Sequence, residues 1–137
     1  LFFTGLQRNA SDIAAAQVAN ADRKHRELSA IAGLVPQVVS CLARGDISSF
    51  GPFLHEAWML KRELAENVSN EKIDDIYRRA TEAGAKGGKL LGAGSGGFML
   101  FYVPVQSQPA VRAALGDLLE IPFKFGSEGS RVVLYEP

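Results

Sequence analysis

Glycines crowd one short stretch of this sequence at a spacing that could bind phosphate. Residues 92–97 read GAGSGG, so four of the six positions are glycine, and Ser95 adds a hydroxyl donor. Glycine adopts positive φ without strain and lets a backbone approach another group closely, at a cost in conformational entropy. A run of bare N–H groups in such a loop can form a concavity that binds anions. The stretch therefore predicts either an anion-binding loop or a tight β-turn with a bulge.

Two better-known phosphate loops fit this stretch poorly. Gly92, Gly94 and Gly97 match G-x-G-x-x-G, but that dinucleotide fingerprint requires a helix directly after the glycines. Here the apolar run FMLFYV at 98–103 predicts a strand instead. The pattern G-x-x-x-x-G-K-[ST] also fails, because Lys89 is followed by leucine and position 83 is alanine.

The composition of the chain excludes several classes of protein. Its 137 residues suit one domain, and 47% apolar residues are enough for a core. Fifteen basic residues balance fifteen acidic ones, which argues against a nucleic-acid partner. Apolar runs are too short to span a membrane, so we expect no membrane as a partner. The single cysteine, Cys41, stands in an apolar helical pattern, which predicts a buried, unreactive thiol and a reducing compartment such as the cytoplasm.

Apolar periodicity and turn residues predict a strand, four helices, two strands, a helix and two final strands. This order indicates an α+β fold, with helices packed on a mostly antiparallel sheet. The first predicted elements are a strand at Leu1–Thr4, a turn at Gly5–Asn9 and a helix capped by Asn9 or Ser11. Three more helices follow: one kinked at Pro36, with the core stripe Leu28, Ile31, Ala32, Val35, Val38, Val39 and Leu42; one from Phe50 to Leu64; and, after a turn at Asn67–Asn70, one closed by Gly84. The rest is predicted to form strands at Lys89–Leu91 and Phe98–Val103, a helix at Pro109–Leu119, and strands at Pro122–Phe125 and Arg131–Tyr135 around the turn Gly126–Gly129.

Several segments together resemble one enzyme superfamily, the GHMP kinases. The glycine stretch and its flanks, GGKLLGAGSGGFMLFYVP at 87–104, resemble the third motif of that superfamily. The first residues, LFFTGLQRNASDI, look like the strand-to-helix entry of its sugar kinases. Three further segments look like the D-glycero-D-manno-heptose 7-phosphate kinase branch, with the L-fucokinases as near relatives: FLHEAWMLK at 53–61, AGAKGGK at 83–89 and PFKF at 122–125.

This resemblance implies that residues 1–137 are the C-terminal, ferredoxin-like domain of a two-domain, ATP- and Mg²⁺-dependent kinase of a sugar or sugar phosphate. The superfamily's Ser-rich phosphate motif, P-x-x-x-G-L-x-S-S, does not occur in this sequence. The segment expected to carry the catalytic carboxylate is also missing, so we assign no catalytic residue and expect the chain alone to be inactive. The implied partners are the substrate and an N-terminal domain of the same protein, and a homodimer is left open.

The implied nucleotide contacts are Gly92, Gly94, Ser95, Gly96 and Gly97, whose backbone would face phosphate oxygens at the transfer site. On this hypothesis Gly96→Val abolishes activity and leaves the fold intact. The alternatives are a fucokinase-like sugar kinase and a non-catalytic, ferredoxin-like ligand-binding module.

Four other residues are candidate substrate contacts. Arg8 could hold a phosphate in bidentate fashion, or it could be a solvated arginine near a helix start. Thr4 could add a hydroxyl contact. Trp58 and Lys61 share a helix face and could line a sugar pocket, although Trp58 could equally fill the core. The sequence predicts no metal site, since its histidines lack the neighbours that ligands need.

Overall fold

A four-stranded antiparallel sheet positions the glycine stretch. The structure, a computed structural model, describes residues 1–7, 10–126 and 134. The strands are β1 (Phe2–Phe3), β2 (Gly87–Leu90), β3 (Phe98–Tyr102) and β4 (Leu119–Glu120), in the spatial order β2-β3-β1-β4. Every pairing among them is antiparallel. The predicted α+β, ferredoxin-like architecture is therefore confirmed.

Helices cover one face of this sheet and enclose the core. They are α1 (Ala10–Ala19), α2 (His25–Ala43), α3 (Phe50–Arg62), α4 (Glu71–Glu82) and α5 (Gln108–Ala114). Helix α4 shows why this layer forms: its apolar residues recur every three or four positions and are buried, while the residues between them are charged. The largest side chains that are fully buried in this core are Trp58, Ile73, Ile76, Leu90, Met99 and Leu115.

Helix α3 lies directly against the edge strand β2 through two glycines. A Cβ atom placed on Gly87 would lie 1.8 Å from the carbonyl oxygen of Gly51, and one on Gly51 would lie 2.7 Å from Cβ of Lys86. Real Cβ atoms do not approach other atoms this closely, so both positions require glycine. The two backbones therefore touch at this point, and this contact fixes where α3 lies beside β2.

The second helix follows the predicted stripe only in part. Leu34 and Cys41 are buried, seven residues apart, whereas Val35 and Val39 are each 60% exposed. The expectation that the whole stripe faces the core is wrong, because α2 buries only the narrow line that meets α3. The expected buried thiol is confirmed, and Sγ of Cys41 donates to the carbonyl oxygen of Asp46 at 2.7 Å.

The C-terminal part of the chain differs from the sequence prediction. Helix α5 ends at Ala114, followed by a turn at 115–117, and Leu119 belongs to β4 rather than to the helix. The reason is tertiary: Leu119 and Glu120 pair with β1, and the N–H of Ile121 donates to the carbonyl oxygen of Leu1 at 2.8 Å. Residues 121–126 form no regular element, so the strand predicted at Pro122–Phe125 is wrong.

Two other predicted features fall outside the described residues. They are the strand at Arg131–Tyr135, of which only position 134 is described, and most of the turn at Gly126–Gly129. Elsewhere, helix α2 continues through Pro36, and Ser11 lies inside α1 rather than before it. None of the described helices is both long enough and apolar enough to cross a membrane.

We expect Gly87→Ala to destabilise the fold by about 1–3 kcal/mol or more, since overpacking a tight contact costs this much. The added methyl group would collide with the Gly51 carbonyl and push α3 away from β2. The free energy of unfolding, measured by urea denaturation, tests this.

The matched control is Gly33→Ala in α2, where an added Cβ meets nothing within 4 Å. Because alanine is the better helix former, this variant should be as stable as the parent or up to about 1 kcal/mol more stable. Equal stability of the Gly87→Ala variant and the parent would contradict the proposed contact.

Candidate functional site

The segment Gly92–Gly97, which we call the glycine loop, joins β2 to β3 in a conformation that requires glycine. Gly92, Gly94 and Gly97 have φ of +80°, +139° and +103°. Ser95 also has a positive φ, of +58°, which is uncommon for a residue with a side chain. The loop therefore has a backbone shape that few other sequences adopt without strain.

Two of the glycines allow the loop to touch other parts of the backbone. A Cβ on Gly94 would lie 2.8 Å from the carbonyl oxygen of Val68, and one on Gly96 would lie 2.6 Å from the carbonyl oxygen of Leu6. Valine at position 96 would therefore force the loop away from Leu6. This corrects the expectation that Gly96→Val leaves the fold intact.

Side chains from four different elements bind the carbonyl oxygens of the glycine loop. The ammonium of Lys61, in α3, donates to the oxygen of Gly92. From α1, Gln17 Nε2 donates to the oxygen of Ala93 at 2.8 Å. Asn70 Nδ2 donates to the oxygen of Ser95 at 3.2 Å, and Thr4 donates to the oxygen of Gly97 through N at 2.9 Å and through Oγ1 at 3.0 Å.

The N–H groups of the glycine loop divide into two sets. Those of Ser95 and Gly97 donate to the carbonyl oxygens of Val68 and Leu6, at 2.9 and 3.0 Å. The other N–H groups, of Gly92, Ala93, Gly94 and Gly96, donate to no atom of the described residues. Carbonyl oxygens bound to side chains and several free N–H groups give the loop a local positive potential, which suits an anion.

An open groove of about 680 Å³ lies along the glycine loop. One wall is the loop itself, and another is formed by Leu6 and Gln7 after β1 and by Ala10 at the start of α1. Apolar side chains from the strands, Phe3, Phe98 and Leu119, complete the groove. Gln7 and Ala10 line this groove, whereas Arg8 lies outside the described residues.

The other predicted contacts occupy different environments. Thr4 is 0% exposed, and its hydroxyl supports the loop at Gly97. Trp58 is also 0% exposed, packs near Tyr77 and does not line the groove, so the structure places it in the core. Its indole nitrogen finds no hydrogen-bond partner among the described residues. Ser95 is buried, and its hydroxyl donates to the carbonyl oxygen of Asn67.

Lys61 lies beside a second lysine at the loop. Partial burial lowers the pKa of the Lys61 ammonium, and the charge of Lys89 lowers the pKa further. Within the described part of the chain, neither lysine forms an ion pair with a carboxylate, whereas seven pairs are formed elsewhere. No group of three or more His, Cys, Asp or Glu among the described residues could hold a metal ion.

Sequence reasoning missed Gln17 and Asn70. Asn70 Oδ1 also accepts the N–H of Ile73 at 3.1 Å and so caps α4, which asparagine before a helix does indicate. Nothing in the sequence indicates that its amide reaches a loop 25 residues away. The same holds for Gln17, which is 76 residues from its partner.

Comparison with known proteins gives this loop a context. A family model described as GHMP kinases C terminal matches residues 38–120, more than half of the chain and the whole of the glycine loop. The chain belongs to this family. The predicted membership and the fold that it implies are thereby confirmed.

Individual relatives agree with this assignment. D-glycero-alpha-D-manno-heptose 7-phosphate kinase of Campylobacter jejuni is 34% identical over 133 residues, which are 94% of this chain and 39% of that protein. Galactokinase of Thermococcus kodakarensis is 43% identical over 64 residues, 45% of this chain and 17% of that protein. The crystal structure of L. major mevalonate kinase in complex with R-mevalonate matches with a TM-score of 0.72 at 20% identity, over 85% of this chain and 36% of that one. This chain thus spans about two fifths or less of each relative.

We expect Asn70→Asp to loosen the glycine loop and to leave α4 intact. Aspartate still caps the helix, but it cannot donate to the oxygen of Ser95, and its charge repels that oxygen. Amide hydrogen exchange should therefore accelerate about tenfold or more at Ser95 and Gly97 and stay unchanged at Ile76. Equal protection of the loop amides in variant and parent would contradict the role of Asn70.

Proposed function

We propose that this chain acts as the C-terminal half of an ATP-dependent kinase whose substrate is a sugar or a sugar phosphate, most like a heptose 7-phosphate kinase. Two observations support the proposal together. The chain resembles one such kinase over 94% of its own length, and its glycine loop, with four N–H groups that donate to no atom of the described residues, lines a groove large enough for a small ligand.

Phosphoryl transfer needs positioning and charge stabilisation more than covalent chemistry from the protein. In the proposed function, the free N–H groups of the glycine loop donate to oxygens of the transferring phosphate or of the substrate at the transfer site. Hydrogen bonds from a rigid backbone lower the barrier because they are already oriented before charge develops. The side chains that bind the loop carbonyls maintain this orientation.

The remaining parts of the reaction are assigned outside this chain. ATP and Mg²⁺ are the proposed cosubstrates, and the free N–H groups fit the phosphates of ATP. Magnesium prefers carboxylate and other oxygen ligands, and we assign no magnesium ligand to this chain. We propose that an N-terminal domain of the same protein supplies the Ser-rich phosphate loop and the catalytic carboxylate.

A kinase of unphosphorylated sugars is the second candidate, and it includes the fucokinase-like alternative. The 43% identity to part of a galactokinase favours it. Turnover of the complete natural protein with ATP, measured over a panel of sugars and sugar 7-phosphates, separates the two candidates. Preference for a heptose 7-phosphate supports the first, and preference for a free hexose supports the second.

The role of the glycine loop can be tested with Gly92→Asn. Gly92 lines the groove, and an added Cβ there meets nothing within 4 Å, so the side chain would enter the groove and not the core. Asparagine tolerates positive φ better than other residues do, which preserves the backbone. We expect kcat/KM of the complete protein to fall about a hundredfold or more with little change in thermal stability, because the side chain keeps phosphate oxygens from the loop N–H groups and losing one such donor typically costs this much.

The matched control is Gly45→Asn at the end of α2. Gly45 also has a positive φ, of +69°, and open space at its Cβ, but it does not line the groove. This variant should keep the activity of the parent. Similar activity of the two variants would remove the glycine loop from the site and favour the non-catalytic ligand-binding alternative.

A further inference from the structure

Helix α3 and strand β2 run side by side in the same direction. Gly51 touches Gly87 at one end, and Lys61 reaches Gly92 at the other. From Gly51 to Lys61 the helix rises about 15 Å, and from Gly87 to Gly92 the strand and its continuation advance about 16.5 Å. The two segments therefore have nearly the same length between these contacts. This match brings the C-terminal end of α3 to the start of the glycine loop.

Two lysines meet where the elements end. Lys61 projects from α3 to the oxygen of Gly92, and Lys89 lies in β2, three residues before Gly92. Lys61 uses one N–H of its ammonium on that oxygen, which leaves two N–H donors free. The side-chain ammonium of Lys89 forms neither a hydrogen bond nor an ion pair with the described residues.

Their mutual repulsion is uncompensated within the described part of the chain. Partial burial lowers the pKa of the Lys61 ammonium, and the like charge of Lys89 lowers it further. Two arginines of the described chain, by contrast, each have a carboxylate partner: Arg62 contacts Asp74 at 2.8 Å, and Arg112 contacts Glu120 at 3.0 Å. A bound anion would neutralise the lysine pair.

The lysine pair also lies next to the groove. Side chains two residues apart in a strand project from the same face of the sheet, so Lys89 and Leu91 point to one side. Leu91 continues the pairing with β3, because its N–H donates to the oxygen of Phe98 at 2.9 Å, and it lines the groove. Lys89 therefore lies on the same side of β2 as Leu91, two residues further from the glycine loop.

We propose that Lys61 and Lys89 form a phosphate subsite at the β2 end of the glycine loop. This inference rests on the proposed function and adds residues that bind a second phosphate group of its substrates. The phosphate belongs either to the nucleotide or to a phosphorylated acceptor. Both present the same chemistry, a tetrahedral dianion that accepts hydrogen bonds from ammonium groups.

The test uses Lys89→Gln and Lys61→Gln in the complete natural protein, with Lys86→Gln as the control. Lys86 is the same residue type, is exposed and lies just before β2, at the end of the strand remote from the glycine loop. The KM for ATP and the KM for the acceptor are measured separately. We expect each of the two subsite variants to raise one of these KM values about tenfold, equivalent to about 1.4 kcal/mol, with kcat changed less.

The two KM values identify the source of the phosphate. A higher KM for a sugar phosphate, with an unchanged KM for ATP, assigns the subsite to the acceptor. A higher KM for ATP alone assigns it to the nucleotide. Lys89→Arg should restore most of the lost affinity, because a cation remains. Unchanged KM values in both subsite variants, or an equal rise in Lys86→Gln, overturn the proposal.

A second measurement separates this inference from the proposed function. Inorganic phosphate should raise the pKa of the Lys61 ammonium, followed by NMR of ¹³C-labelled lysine, because a bound anion favours the charged form. If the parent protein turns over no sugar but the pKa of Lys61 rises, the function fails and the subsite stands. If it turns over a sugar phosphate and neither the pKa nor the KM responds, only the subsite fails.

Discussion

The close backbone contact between the glycine loop and two other segments is the constraint on which the site depends. Gly94 touches Val68 and Gly96 touches Leu6 so closely that no side chain fits between them. These contacts connect the loop to the turn just before α4 and to the connection after β1. Replacing either glycine would therefore change the shape of the groove and not only its surface.

The same contacts explain the polarity of the loop. Once the loop lies against Val68 and Leu6, its partly buried carbonyl oxygens need donors, since an unpaired buried polar group costs about 1–3 kcal/mol. Lys61, Gln17, Asn70 and Thr4 supply them. With its carbonyl oxygens bound in this way, the loop keeps four N–H groups that donate to no atom of the described residues, and the proposed phosphate binding rests on these groups.

The sequence predicted local features well and long-range pairings poorly. Periodicity predicted α4 because its buried positions alternate with charged ones, and the glycine content of residues 92–97 indicated the loop. It misassigned Leu119, whose pairing with β1 involves residues more than a hundred positions away. It also offered Trp58 as a pocket residue, because spacing gives a helix face but not what covers it. Gln17 and Asn70 act across the fold and have no local signal.

One measurement tests the central claim, that the free N–H groups of the glycine loop bind phosphate. The ¹⁵N-labelled protein would be titrated with pyrophosphate, and amide chemical shifts would be followed. The account predicts saturable shifts at Gly92, Ala93, Gly94 and Gly96, and none at Gly45, which has a similar backbone conformation away from the groove. Unmoved loop amides, or equal shifts at Gly45, would contradict the account.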